Sequence, residues 1–207
     1  MSENINVHWN LATADAWELY TYHREKLTKH IVEHSNGKKS LIVFGAGNCN
    51  DLDLREILSS YMTVQLVDID HSAMVQGLTR QGISQANVTL TALNLESPDI
   101  MDQSKILVCD VALSTAMVSQ LFAARYHQGH PTITKKKIIE IWRKHLQLLA
   151  ATSLEKSIIV SDFAVCPKAY KLSDNIDHYQ SIRKILSDCT PFNGMDITLV
   201  DRILLDD

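Results

Sequence analysis

Cysteine is scarce in this chain, and what there is lacks pattern. Cys49, Cys109, Cys166 and Cys189 form no CxxC pair, and their spacings match no zinc signature. They read as reduced thiols of a cytoplasmic protein, and no metal is expected. Long apolar runs are missing too. None approaches the roughly 20 residues that a membrane-spanning helix needs, so no membrane partner is expected. The opening residues, MSENINVHWN, hold no basic segment followed by an apolar stretch, which argues against a signal peptide. Internal repeats, low-complexity tracts and linkers rich in proline, glycine or serine are absent, and one domain over residues 1–207 is the simplest reading. Strong charge of one sign is also lacking. A net charge of −4 gives no general pull toward nucleic acid, and no nucleic-acid partner is expected.

What is present is a globular composition, 45% apolar and 21% charged over 207 residues, enough for a full hydrophobic core. Residues 14–34 read as a helix with Thr13 as N-cap, and Trp17, Tyr20, Leu27 and Ile31 share a face. Residues 40–44, Ser-Leu-Ile-Val-Phe, form an apolar run of the kind buried on both faces of a parallel sheet. A short helix follows over residues 53–60 and a second strand over 64–67, closed by Asp68. Residues 72–80 read as a helix capped by Asp70, with Gly82 near its end. A third strand is expected over 88–93, a fourth within 106–114 and a fifth over 157–160. Helices are expected over 115–125 and 134–152, the latter with Ile138, Ile141, Trp142, His145, Leu148 and Leu149 facing the core. Strands alternating with helices argue for an α/β, Rossmann-like, mostly parallel sheet with helices on both faces.

Ligands of such sheets bind at the carboxyl ends of the strands. After the first strand comes Gly45-Ala46-Gly47-Asn48-Cys49-Asn50-Asp51. Glycine permits a tight turn and close approach of a ligand. After the second strand comes Asp68, whose carboxylate can accept both hydroxyls of a ribose. The two together point to a nucleoside-containing ligand. A dinucleotide loop wants a third glycine where Asn50 stands, and the acidic Asp51 beside it disfavours a pyrophosphate. S-adenosylmethionine has no phosphate and carries a sulfonium cation, so an acidic loop suits it better.

At these residues the chain resembles a family. Leu41-Ile42-Val43-Phe44-Gly45-Ala46-Gly47-Asn48 is similar to motif I of the class I S-adenosylmethionine-dependent methyltransferases. Gln65-Leu66-Val67-Asp68-Ile69-Asp70 resembles the acidic end of their second strand, Leu93-Asn94-Leu95-Glu96 the segment after the third, and Asp110-Val111-Ala112-Leu113-Ser114 the fourth strand with its exit. The resemblance covers roughly residues 40–162. It implies S-adenosylmethionine as cofactor and methyl transfer to a small-molecule nucleophile. It also implies roles: Gly45, Ala46, Gly47 and Asn48 line the methionine part and adjoining ribose, Asp68 holds the ribose hydroxyls, and Ile69 presses on the adenine. Asn94, with Leu95, stands where an Asp usually meets the adenine amino group, and Ser114 lies beneath the amino-acid portion. Cys49, where many members have glycine, departs from the pattern. In several small-molecule methyltransferases an N-terminal helix closes over the cofactor. Residues 1–37 are the matching lid or cap, with Tyr22 and Arg24 as candidates to reach the cofactor carboxylate.

Other features read as structural. Asp70 is a helix cap, Cys49 a small filler, and the His127-Gln-Gly-His130 run a surface loop. Lys135, Lys136 and Lys137 open a helix and face solvent. Asp162, Asp110 and His127 are candidates for a base near the site, and nothing selects among them. Two alternatives stand beside methyl transfer: a non-catalytic module that keeps the nucleoside pocket, and a nicotinamide-dependent oxidoreductase, against which Asn50 argues. Towards the C-terminus, residues 175–186 read as a helix. The final run, 196–205, also fits helical spacing with Asp196 as cap, which would shorten the family's closing hairpin and leave a sheet edge for a homodimer to bury.

Overall fold

The apolar run at residues 40–44 does become a strand buried on both faces. The computed structural model describes residues 5–35, 39–95, 108–115, 117 and 135–160. In chain order the elements are α1 (Ile5–Ala12), a 3-10 turn (Glu18–Tyr20), α2 (Thr21–Val32), β1 (Ser40–Phe44), α3 (Leu54–Ser60), β2 (Thr63–Asp68) and α4 (His71–Arg80). A second 3-10 turn (Gln85–Asn87) leads to β3 (Thr89–Ala92), β4 (Cys109–Thr115), α5 (Lys135–Thr152) and β5 (Ser153–Val160). The strands form one parallel sheet in the order β3-β2-β1-β4-β5. The order reverses beside β1, and the crevice of an open α/β sheet lies at that reversal, outside the carboxyl ends of the strands.

Alternation along β1 builds two cores. Leu41 and Val43 point to one face, where Leu27 and Ile31 of α2, Leu54 and Ile57 of α3, and Met74 and Leu78 of α4 cover them. Ile42 and Phe44 point to the other, where Leu148 and Leu149 of α5 cover them. Two carboxylates start helices, Asp70 as the sequence foretells and Asp53 as the cap of a helix it was expected to lie within. Asp53 accepts from the amides of Arg55 and Glu56, and Asp70 from that of Ala73 at 3.1 Å.

The N-terminal segment departs from expectation. The helix expected over 14–34 begins only at Thr21, and a second helix, α1, lies ahead of it at Ile5–Ala12 with the chain broken between them. Thr13 does not cap a following helix; it closes α1, with its amide 3.0 Å and its hydroxyl 2.9 Å from the carbonyl of Trp9. The carbonyl of Ala14 accepts from Arg80, and that of Trp17 is shared between the amide of Tyr20, in the 3-10 turn, and Arg24. Leu27 and Ile31 are fully buried, so α2 is part of the packed body, and the hydroxyl of Tyr61 donates to the carbonyl of Ile31 at 2.8 Å.

Thr115, expected to begin a helix, is the last residue of β4, because its hydroxyl bonds to the carbonyls of Phe44 at 3.2 Å and Gly45 at 2.7 Å. β5 begins at Ser153 rather than at residue 157, directly after α5. The hydroxyls of Thr152 and Ser153 turn back onto the carbonyls of Leu148 and Leu149 and end the helix. The expectations for residues 161–207, including Asp162, the two C-terminal helices and the edge offered to a dimer, lie outside the described residues, as do His127 and His130. No helix among the described residues is long and apolar enough to cross a membrane.

Because Leu27 anchors α2 to the core, Leu27→Ala should cost about 2–5 kcal/mol of stability. Urea unfolding checks this. A loss inside experimental error would show that α2 does not belong to the core.

Candidate functional site

The chain leaves β1 through three consecutive constraints. The amides of Gly45 and Ala46 both point at the carbonyl of Val67, at 2.9 and 3.3 Å, which ties the exit of β1 to the end of β2. Gly45 and Gly47 take φ of +75° and +46°, a region that glycine enters freely. Cys49 follows at φ +53°, where a side chain is costly, on the order of 1–2 kcal/mol. The position that departs from the family's glycine thus keeps the glycine conformation. Cys49 is fully buried, and burial pushes its thiol up to about 12, so it stays protonated and fills space.

Asp68 ends β2 beside this loop. Its Oδ2 accepts from the amide of Gly47 at 2.9 Å, and its Oδ1 from the amide of Asp70 at 2.9 Å. The side chain is buried at 8% exposure. Burial raises its pKa, and the two amides and Asn10 work the other way. The carbonyl of Asp68 accepts from the amide of Leu93 at 2.9 Å, which brings the exit of β3 alongside. Asn94 there is exposed, and Leu95 is buried against the Phe44 side of the sheet. Ile69, half-buried, stands between Asp68 and Asp70. The structure therefore gathers Gly45, Ala46, Gly47, Asn48, Asp68, Ile69, Asn94 and Leu95 at one edge of the sheet.

Ser114 lies beside Phe44 in register, at the end of β4. It is fully buried and shares a 2.7 Å hydrogen bond with Nε2 of His145 on α5, whose ring meets Phe44 edge to face. Burial pushes His145 down to about 4, so the imidazole is neutral at neutral pH.

The two N-terminal candidates go elsewhere. Tyr22 is 60% exposed, with the ammonium of Lys26 over its ring. Arg24 is buried and stacks on Trp17 at 3.4 Å. Its guanidinium donates to the carbonyls of Trp17 at 2.8 Å and Asn50 at 3.0 Å and to the hydroxyl of Thr21. It serves the chain's own carbonyls, which makes it a clamp on the glycine loop. Asp110, a candidate base, sits at the amino end of β4, away from the crevice. It accepts from the amide and hydroxyl of Ser40, which hold its pKa below the usual carboxylate range.

Residues that the sequence reading passed over complete the site. Asn10 of α1 reaches both acids, with Nδ2 3.5 Å from Oδ1 of Asp68 and 3.4 Å from Oδ2 of Asp70. Asn48 donates to the carbonyl of Asn10 and to the hydroxyl of Thr13, while its buried Oδ1 has no hydrogen-bond partner among the described residues. Gly77 lets α4 approach the loop, since a Cβ there would stand 2.5 Å from the carbonyl of Asn48. A glycine inside a helix carries a propensity cost, and that signal was there to be read. Asn10 gave no such signal.

No protein-family model matches the sequence, and no curated protein does. Solved structures do. An O-methyltransferase family protein from Burkholderia thailandensis matches with a TM-score of 0.50 at 12% identity, over 83% of this chain and 45% of its own. This chain thus spans less than half the length of that protein. A protein of Methanococcus maripaludis, provisionally assigned as an S-adenosyl-L-methionine-dependent methyltransferase, matches with a TM-score of 0.47 at 13% identity, over 93% of this chain and 77% of its own. An rRNA methylase from Streptococcus thermophilus matches with a TM-score of 0.41 at 13% identity, over 76% of each chain. At such identities what is shared is the fold, a Rossmann-like α/β arrangement that this chain has in common with the O-methyltransferase family protein.

The His145 pair gives an acid-stability prediction. Its pKa is about 4 folded against 6.5 unperturbed. The stabilisation from a neutral, buried imidazole is therefore complete above pH 6.5 and is lost as pH falls toward 4. The loss should total about 3 kcal/mol. Urea unfolding of wild type and His145→Gln at pH 7.5 and pH 4 measures it. The drop between the two pH values should be smaller in the variant, and equal drops would mean that the imidazole ionises freely.

Proposed function

We propose that this chain is an S-adenosylmethionine-dependent methyltransferase acting on a small-molecule nucleophile. The observation that carries the reading is the buried carboxylate of Asp68 at the end of β2, bonded to the amide of Gly47 across the glycine loop. That pairing sets a buried acceptor, suited to a ribose, beside a glycine turn at the carboxyl end of the sheet.

The residues fit this cofactor better than a dinucleotide. Asp51, Asp68 and Asp70 surround the loop with negative charge, which repels a pyrophosphate and attracts a sulfonium. As a carboxylate, Asp68 is acceptor-only and suits the hydroxyl donors of a ribose. The buried Oδ1 of Asn48 is an acceptor suited to an ammonium donor. Asn94, exposed at the exit of β3, offers its side-chain oxygen to an exocyclic amine.

Bound there, S-adenosylmethionine supplies a methyl group already activated by the sulfonium. The protein's part is alignment of nucleophile, carbon and sulfur in line, and exclusion of water. The Asp68–Gly47 bond fixes the loop against the sheet. Arg24 and Arg80 hold the loop's far side through Asn50. The small-molecule acceptor is supported by the mild net charge of −4, which gives polyanions no broad attraction. The fold itself hosts many acceptors.

Calorimetric titration with S-adenosylhomocysteine and with NAD tests the reading. S-adenosylhomocysteine should bind and raise the melting temperature, while NAD should do neither. Asp68→Asn, which keeps an acceptor for the loop amide but loses the charge, should bind S-adenosylhomocysteine at least about tenfold more weakly, from charge-assisted bonds worth roughly 1.5–3 kcal/mol each. Binding of NAD alone, or unchanged affinity in Asp68→Asn, would overturn the assignment.

A further inference from the structure

The ribose acceptor is already engaged by the chain itself. A carboxylate offers about four lone-pair sites. On Asp68, the amide of Gly47 takes one on Oδ2, and the amide of Asp70 takes one on Oδ1. Nδ2 of Asn10 takes a third, also on Oδ1, by a long bond of 3.5 Å. One site remains, and a ribose diol needs two. The same carboxamide covers the glycine. Oδ1 of Asn10 stands 2.8 Å from where a Cβ on Gly47 would be, over the face that glycine leaves open.

The helix carrying Asn10 is attached in a way that suits release. No described α1 side chain joins either hydrophobic core. His8, Leu11 and Ala12 are exposed, Leu11 at 58%. Val7, Trp9 and Asn10 are half-buried, and the hydrogen bonds to α1 and the turn after it come from the glycine loop and from α4. Asn48 donates to the carbonyl of Asn10, Asn50 to that of Thr13 at 2.8 Å, and Arg80 to that of Ala14. The helix has eight residues, too short to persist undocked.

We propose that α1 is a self-occluding gate, in which the Asn10 carboxamide competes with the ribose of the cofactor for Asp68. The inference rests on the cofactor reading above and adds a direction to it. The cofactor enters by displacing Asn10, so α1 is looser in the complex than in the free chain. A lid that closes over its ligand does the opposite. Affinity is reduced by the fraction of chains whose gate is open, and removing the competitor restores it.

The test uses the full chain with S-adenosylhomocysteine as probe. Amide hydrogen exchange of residues 5–12 should speed up when the wild type is saturated with the probe. Asn10→Ala should bind the probe about threefold to tenfold more tightly, through faster association in stopped-flow tryptophan fluorescence. Slower exchange in the complex, or weaker binding by Asn10→Ala, would make Asn10 a ligand contact and overturn the gate. Unchanged exchange together with unchanged affinity would also overturn it, while leaving the cofactor reading intact. Absence of probe binding in both proteins would refute the cofactor reading, and the gate would fall with it. The exchange measurement needs no variant, so it decides the matter even if Asn10→Ala fails to fold.

Discussion

A carboxylate kept out of water at the sheet edge needs donors, and the amide of Gly47 is the one that turns Asp68 into an organising centre. Burying an ionised carboxylate without partners is prohibitively costly, so the group must be bonded or protonated. Here two backbone amides bond it, one from each loop that meets at the edge. The bond to Gly47 closes the turn after β1 against β2, and the bond to Asp70 sets the start of α4. Desolvation still wins, and the pKa of Asp68 is raised. A group in that balance gains from any further donor, which is the physical basis for reading it as a ligand contact.

The glycines around Asp68 answer to the chain's own packing as well as to a ligand. A Cβ on Gly45 would stand 2.6 Å from the sulfur of Met117 and from the carbonyl of Thr115. One on Gly47 would meet Asn10, and one on Gly77 the carbonyl of Asn48. A glycine motif in a sequence marks a place where something approaches closely, without saying what. Cys49 makes the complementary point. It holds a left-handed conformation without being glycine, because its side chain is buried and the loop around it is fixed.

What was legible in the sequence follows from how local its cause is. β1, β2 and α4 were readable because an unbroken apolar run, a helix cap at Asp70 and a glycine turn act over a few residues. The sheet edge formed by Gly47 and Asp68 was readable for the same reason. The break between α1 and α2 was not. Thr13 looks like the cap of a following helix, and the bonds that Ala14 and Trp17 take from the distant Arg80 and from Arg24 leave no local trace in the sequence. Helix α1 itself was hidden, since Ile5, Val7, Trp9 and Leu11 alternate as in a strand and carry no helical stripe. Arg24 was singled out for its charge, and it was the bonds to Trp17 and Asn50 that gave it a different task. The pairing of Ser114 with His145 joins residues from β4 and α5, and no spacing rule reaches across that gap.

The two N-terminal helices, adjacent in sequence, are held by different physics. α2 is held by apolar burial of Leu27 and Ile31, an interaction that is lost only when the core opens. α1 adds no residue to either core, and it and the turn after it take side-chain bonds on their backbone carbonyls, each worth roughly 0.5–1.5 kcal/mol net because water replaces it when it breaks. Opening of α1 therefore lies well below global unfolding on the ladder of local openings. The donors that hold it, Asn48 and Asn50, belong to the glycine loop, and Arg80 donates to Asn50 as well as to Ala14. Whatever rearranges that loop must change the grip on α1, and whatever lifts α1 must free donors in the loop. Helix α1 is thus coupled directly to the candidate binding edge, through a few named side chains.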